Sequence, residues 1–116
     1  MEQDTSFSKF GKSFQEDLCH MILNDRPFAD QMFEVLDINF LELKHLRVFI
    51  QKIQDYRKRY GVHPTSKIML SVIRTGLDSE PESVKTRIRD YYARVLANGH
   101  EPDAVEYIKD TALDFC

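Results

Sequence analysis

Tryptophan is absent from this chain, and cysteine occurs only twice, at Cys19 and Cys116. Two cysteines give no disulfide framework, so a reducing, cytoplasmic setting is the expectation. Glycine and proline number four each, with no low-complexity run, which excludes a collagenous or proline-rich disordered chain. Apolar runs last only a few residues, so no membrane span or membrane partner is expected. Neither sign of charge dominates. Sixteen Lys and Arg against nineteen Asp and Glu leave −3, which disfavours a globally basic nucleic-acid binder but leaves room for a local patch. The opening Met1-Glu2-Gln3-Asp4 is acidic and polar, unlike a secretory signal.

Material for metal or redox chemistry is equally thin. Cys19 and His20 are adjacent, so their side chains diverge on a helix, and His45, His63 and His100 have no Cys or His at ligand spacing. A zinc site needs about four convergent ligands. His45 reads as a core or boundary histidine satisfied by a hydrogen bond, and Cys19 as a small buried residue. Gly11-Lys12-Ser13 has the end of a phosphate-binding loop, but position 6 is Ser6 rather than glycine and a polar arm precedes it, so it reads as a helix start. No metal, cofactor-binding or catalytic residue is expected.

What is present is helical periodicity over 116 residues, 42% apolar and 30% charged, the size of one domain with a modest core. Residues 1–12 read as a flexible N-terminal arm on which Phe7 and Phe10 can dock. Ser13-Phe14-Gln15-Glu16 has capping-box spacing, and Phe14, Leu18, Met21 and Ile22 then mark a helix over about 14–24. Pro27 suits the first turn of a second helix, about 27–36, with Phe28, Met32, Val35 and Leu36 on its buried side. The longest periodic stretch, about 40–60, lines up Leu43, Leu46, Ile50, Ile53 and Tyr60, and Gly61 stops it. A short helix from Pro64-Thr65-Ser66 to about Arg74 carries Ile68, Met69, Val72 and Ile73 and ends at Gly76. Ser79 and Glu82 repeat the capping-box spacing before a fifth helix, about 81–98.

In that fifth helix Val84, Ile88, Tyr91 and Val95 recur at the steps of a narrow seam. Gly99 ends it and Pro102 opens a sixth helix, where Val105, Ile108, Ala112 and Phe115 repeat the seam. The fold expectation is therefore all-α. A bundle of about four helices (14–75, within a unit spanning 13–77) precedes an antiparallel hairpin over 81–116. The last helix is still periodic at Phe115, which reads as a chain that continues beyond Cys116. Seam residues Val84, Ile88, Tyr91, Val95, Val105, Ile108 and Phe115, with Tyr92 and Tyr107 as aromatic anchors, are the candidate subunit interface. A second candidate is cationic. Between Lys44 and Arg59 six Lys or Arg face one acid, Asp55, a local +5, and Lys52, Arg57, Lys58 and Arg59 form a patch for phosphate or an acidic partner.

The order of these features resembles the N-terminal domain of DnaB-type replicative DNA helicases, including phage-encoded ones. The segment from Phe14 to Asp25 is similar to that family's opening helix. Val35-Leu36-Asp37-Ile38-Asn39-Phe40 is similar to its second-helix ending, with one extra residue between Asp37 and Phe40. His45 and Phe49 match a His-x-x-x-Phe spacing on the long third helix, and Gly61-Val62-His63-Pro64 matches the turn before the short fourth helix. The likeness covers about residues 13–77, and the stretch 78–99 departs from it.

The resemblance implies a non-catalytic assembly domain that self-associates as a dimer or higher oligomer and binds a primase or helicase-loading protein. ATP, Mg and most DNA contacts would belong to a separate RecA-like motor after a linker. The alternatives are a stand-alone helical adaptor, and a nucleic-acid module using the basic 44–59 helix.

Overall fold

A computed structural model describes residues 6–96 and 104–116; the expected breaks at Gly99 and Pro102 lie outside them. The described residues hold six α-helices and no strand: α1 Lys12–Asn24, α2 Arg26–Val35, α3 Lys44–Tyr60, α4 Ser66–Thr75, α5 Glu82–Tyr91 and α6 Val105–Phe115. Short 3-10 turns at Phe7–Phe10 and Ile38–Phe40 precede α1 and α3, and α5 runs on into a π turn, Tyr92–Leu96. The all-α architecture is as the periodicity predicts.

Helix α1 is the axis of the core. Nine of its thirteen residues are buried, including the polar Gln15, Glu16 and His20. It packs on α2, α3 and α6 and on the π turn. A helix buried nearly all round must find partners for its polar groups. Gln15 accepts from the Glu42 backbone N–H at 2.9 Å. The Glu16 carboxylate takes both Arg94 nitrogens, at 2.7 and 3.1 Å. This corrects the capping box expected at Ser13–Glu16. The helix starts two residues earlier, behind Gly11 at φ +91, with no side-chain cap, so Ser13 lies within the first turn and Glu16 reaches across the molecule instead. The second expected box fails similarly. Glu82 is itself the first helical residue of α5, behind Pro81, and no side chain caps it.

The side-chain caps that form on the described α-helices are Asp25, which accepts from Phe28 N at 3.1 Å, and Thr65, which accepts from Ile68 N at 3.1 Å. Gly61, at φ +73, ends α3 in the left-handed conformation that glycine adopts without penalty.

Residues 6–11 are not the expected arm. Phe7 is completely buried, and its ring lies 6.0 Å from Phe14, 6.0 Å from Phe40 and 4.8 Å from Phe115. Phe10 joins the cluster 4.8 Å from Phe14. The docking considered for these two rings is real, and it recruits both ends of the described chain into one aromatic cluster. Two other faces also differ. Val35 and Tyr60, expected inside, are 46% and 58% exposed; each sits at the last residue of its helix, beyond the turns that pack on the core.

Among the described residues α5 and α6 do not lie along each other as a hairpin. Helix α5 packs on α3, whereas α6 packs on α1 and α2. Each seam has found the bundle rather than its sequence neighbour. Tyr91 sits edge-on to Phe49 at 5.5 Å and donates its hydroxyl to the Glu16 carbonyl at 2.8 Å. Lys109 of α6 pairs with Asp25 at 2.7 Å. A seam specifies a narrow stripe to be buried, not the surface that buries it.

A cationic cleft as candidate functional site

The last turn of α3 carries Arg57, Lys58 and Arg59, cations that offset the negative end of the helix dipole. Gly61 then turns the chain so that His63 and the buried Pro64 return beside α1. His63 Nε2 lies 2.7 Å from the carbonyl oxygen of Leu23, in the final turn of α1, where carbonyls lack helical partners. Arg57 Nη1 lies 2.8 Å from His63 Nδ1. Guanidinium only donates, so Nδ1 accepts and the ring carries its proton on Nε2, which donates to Leu23. The other Arg57 terminal nitrogen reaches Asp30 of α2 at 2.6 Å, and the guanidinium plane sits 5.0 Å from the Phe33 ring. The Arg57 hydrogen bond holds the Asp30 carboxyl below the usual carboxylate range. One unbroken network of carboxylate, guanidinium, imidazole and carbonyl therefore ties α2, α3, the 61–65 turn and α1 together.

Beside this network lies a cleft of about 270 Å³, lined by Arg26, Asp30, Arg57, Lys58, Gly61, Val62 and His63. A neighbouring hollow of about 360 Å³ shares Arg26 and His63 and extends to Thr65 and Ser66 at the start of α4. Three cations against one carboxylate leave the cleft at +2 in a chain of net charge −3. Arg26 and Lys58 are exposed and form no ion pair with any described residue. The arrangement can hold an anionic group by charge and by guanidinium hydrogen bonds.

Of the four cations predicted from the sequence, the cleft unites Arg57 and Lys58. Lys52 is half-buried away from it, and Arg59 turns over the Tyr60 ring at 5.6 Å. Arg57 is already engaged by Asp30, so the open charge is on Lys58 and on Arg26, which sequence reasoning missed. Arg26 stands thirty-odd positions from the basic run, and only the packing of α2 on α1 and α3 brings it there. The His-Pro pair after Gly61 was the one local hint that the turn folds back.

The candidate interface is placed differently from expectation. Val84, Ile88, Tyr91, Val95 and Ile108 are each at most 5% exposed within the single chain. Their apolar surface is spent on the chain's own core, and only Tyr92, Val105 and Phe115 keep partial exposure. Tyr107 is 60% exposed.

His45 is a core residue as expected, 4% exposed, but it is not satisfied. Its Nδ1 has no hydrogen-bond partner among the described residues, and the ring packs edge-on to Tyr91 at 6.3 Å. Burial holds its imidazole below the ordinary value, against the opposing pull of Glu16. Burial pushes the Cys19 thiol far up, with Glu16 adding to it, and an un-ionised thiol is a poor nucleophile.

Among the described residues no three His, Cys, Asp or Glu side chains are grouped to hold a metal ion. No described helix is long and apolar enough to cross a membrane. No family model, curated protein or solved structure matches this chain.

Proposed function

We propose that this chain is a non-catalytic assembly and partner-binding module of the kind that precedes the motor of a DnaB-type replicative helicase, and that the cleft at the end of α3 is its contact face for an acidic partner such as a primase or loading protein. The observation that carries the reading is the cleft's uncompensated positive charge at Arg26 and Lys58, in a chain that is negative as a whole. A patch opposite in sign to its surroundings steers an acidic surface to one place. The motif residues behind the resemblance also have roles in the first four helices. Asp25 caps α2, His45 and Phe49 pack on Tyr91, and Gly61 makes the turn into His63-Pro64. Self-association through 81–116 would have to run over Tyr92, Val105, Tyr107 and Phe115, because the other assigned side chains are buried within the subunit.

Two measurements test the proposal. The coding sequence beyond Cys116 is expected to continue into a strand followed by a complete phosphate-binding loop; a stop codon directly after Cys116 refutes the helicase assignment in favour of a stand-alone adaptor. Sedimentation at several concentrations is expected to show dimers or larger species, and a strict monomer at high concentration refutes assembly by this domain. ATP turnover by the purified chain alone would contradict a non-catalytic role.

A further inference from the structure

Helices α4 and α5 leave a groove between them that shares no lining residue with the cationic cleft. It measures about 220 Å³ and is lined by Leu70, Ile73 and Arg74 of α4, Arg89 of α5, and Tyr92 at the head of the π turn. Drug-sized ligands take clefts of about 300–1,000 Å³; this one suits a single large apolar side chain. Its lining is mainly aliphatic and aromatic, with Ile73 buried and Leu70 and Tyr92 half-buried.

Each helix contributes one arginine, both are exposed, and neither pairs with a described carboxylate. The nearest acid in sequence to Arg89, Asp90, is taken by Arg94 at 3.3 Å. No Asp or Glu lines the groove. The π turn adds a second, backbone observation: such turns interrupt the regular helical ladder and are found often at functional sites.

We propose that this groove docks a peptide segment in which one apolar side chain is flanked by carboxylates. The apolar side chain enters against Leu70, Ile73 and Tyr92. The flanking acids meet Arg74 on one helix and Arg89 on the other. The guanidinium groups are planar forks that bind carboxylates in two-point fashion. Nucleic acid fits less well, since Tyr92 is the one aromatic ring in a lining that is otherwise aliphatic and cationic, too little for successive bases to stack on. The groove does not depend on the helicase reading, and a chain that stops at Cys116 could use it equally.

The experiment uses the full chain, labelled with nitrogen-15, and an acetylated, amidated pentapeptide Gly-Glu-Leu-Glu-Gly, whose blocked ends leave the two glutamates as its only charges. Saturable shifts are expected at the backbone amides of residues 70–76 and 89–92, with a Kd of about 1 mM or tighter. Replacing the peptide's leucine by glycine, or its glutamates by lysines, is expected to weaken binding at least tenfold. The Arg74→Glu, Arg89→Glu double variant should do the same, while Lys44→Glu, at an exposed lysine that lines neither cleft, changes affinity less than twofold. Both arginines are exposed, so the double variant is expected to melt within a few degrees of the parent; if it does not fold, Arg74→Gln with Arg89→Gln should still lose threefold or more.

Unchanged affinity in the arginine variants overturns the proposal, as does the absence of any shift at about 10 mM peptide. Shifts confined to residues 57–63 assign the acidic peptide to the cationic cleft and overturn the groove alone. Tighter binding of a single-stranded oligonucleotide at the same amides overturns the choice of occupant.

Discussion

Truncating Tyr91 separates an interface residue from a core residue more cleanly than any other change. Its side chain is wholly buried, its ring packs edge-on to Phe49 and His45, and its hydroxyl donates to the Glu16 carbonyl at 2.8 Å. Tyr91→Phe removes only the hydroxyl and leaves that carbonyl short of one partner, a loss of about 1 kcal/mol. Tyr91→Ala also opens a cavity between α1, α3 and α5, and the whole loss is about 3–5 kcal/mol by comparison with other buried aromatics. An unfolding entropy of about 2.1 cal/mol/K per residue converts each kcal/mol into roughly 4 °C for a chain of this length. The expected fall in Tm is therefore about 4 °C for Phe and about 12–20 °C for Ala, by the same conversion.

Thermal melts followed by circular dichroism, with sedimentation on the same samples, measure both quantities. The fall should be independent of protein concentration, because the contacts lie within one chain. If Tyr91→Ala keeps its melting temperature to within a couple of degrees while the sedimenting mass drops, the side chain belongs to an interface and the packing described above is wrong.

Three further outcomes follow from the same structure. Phe7→Ala should destabilise by about 3–4 kcal/mol in urea titration, since the ring is fully buried among Phe14, Phe40 and Phe115; no change would return residues 6–11 to the status of an arm. Gly61→Ala should lose about 1–2 kcal/mol from backbone conformation alone, because φ is +73 and an added Cβ meets nothing within 4 Å; a rise in stability would refute the left-handed cap.

Acid should destabilise the fold in two windows. Burial lowers the His45 value, so from about pH 6.5 down to its folded value the unfolded chain binds a proton that the folded chain refuses, and stability falls as pH drops. His45→Gln should flatten that slope between about pH 7 and 5; an unaltered slope assigns it elsewhere. The hydrogen bond from Lys109 lowers Asp25, so its contribution is present above about pH 4 and is lost as pH falls further; Lys109→Met should remove that part.

Local rules carried the reading of the elements and much less of the site. Helix spans are set by neighbours three and four positions away and by single punctuating residues such as Asp25, Gly61 and Thr65, all visible in one dimension. A capping box needs the helix to start at one residue, however, and a tertiary partner can outbid it, as Arg94 does for Glu16. The basic run at Arg57–Arg59 was equally visible, whereas its acidic clamp Asp30 and the open cation Arg26 are distant in sequence, and no periodicity links them to it.

The amino-acid pattern by itself determined an all-helical chain, the order of its helices, the stripes that must leave water, and the absence of residues for a disulfide framework. Tertiary structure decided which surface covers each stripe. It sent α5 to α3 and α6 to α1 and α2, drew Phe7 into the same cluster as Phe115, and consumed side chains that a seam alone would have offered to a second subunit. The physical reason is that apolar burial has no direction of its own. It requires that a stripe be covered, and only the competition among all faces in three dimensions chooses the cover.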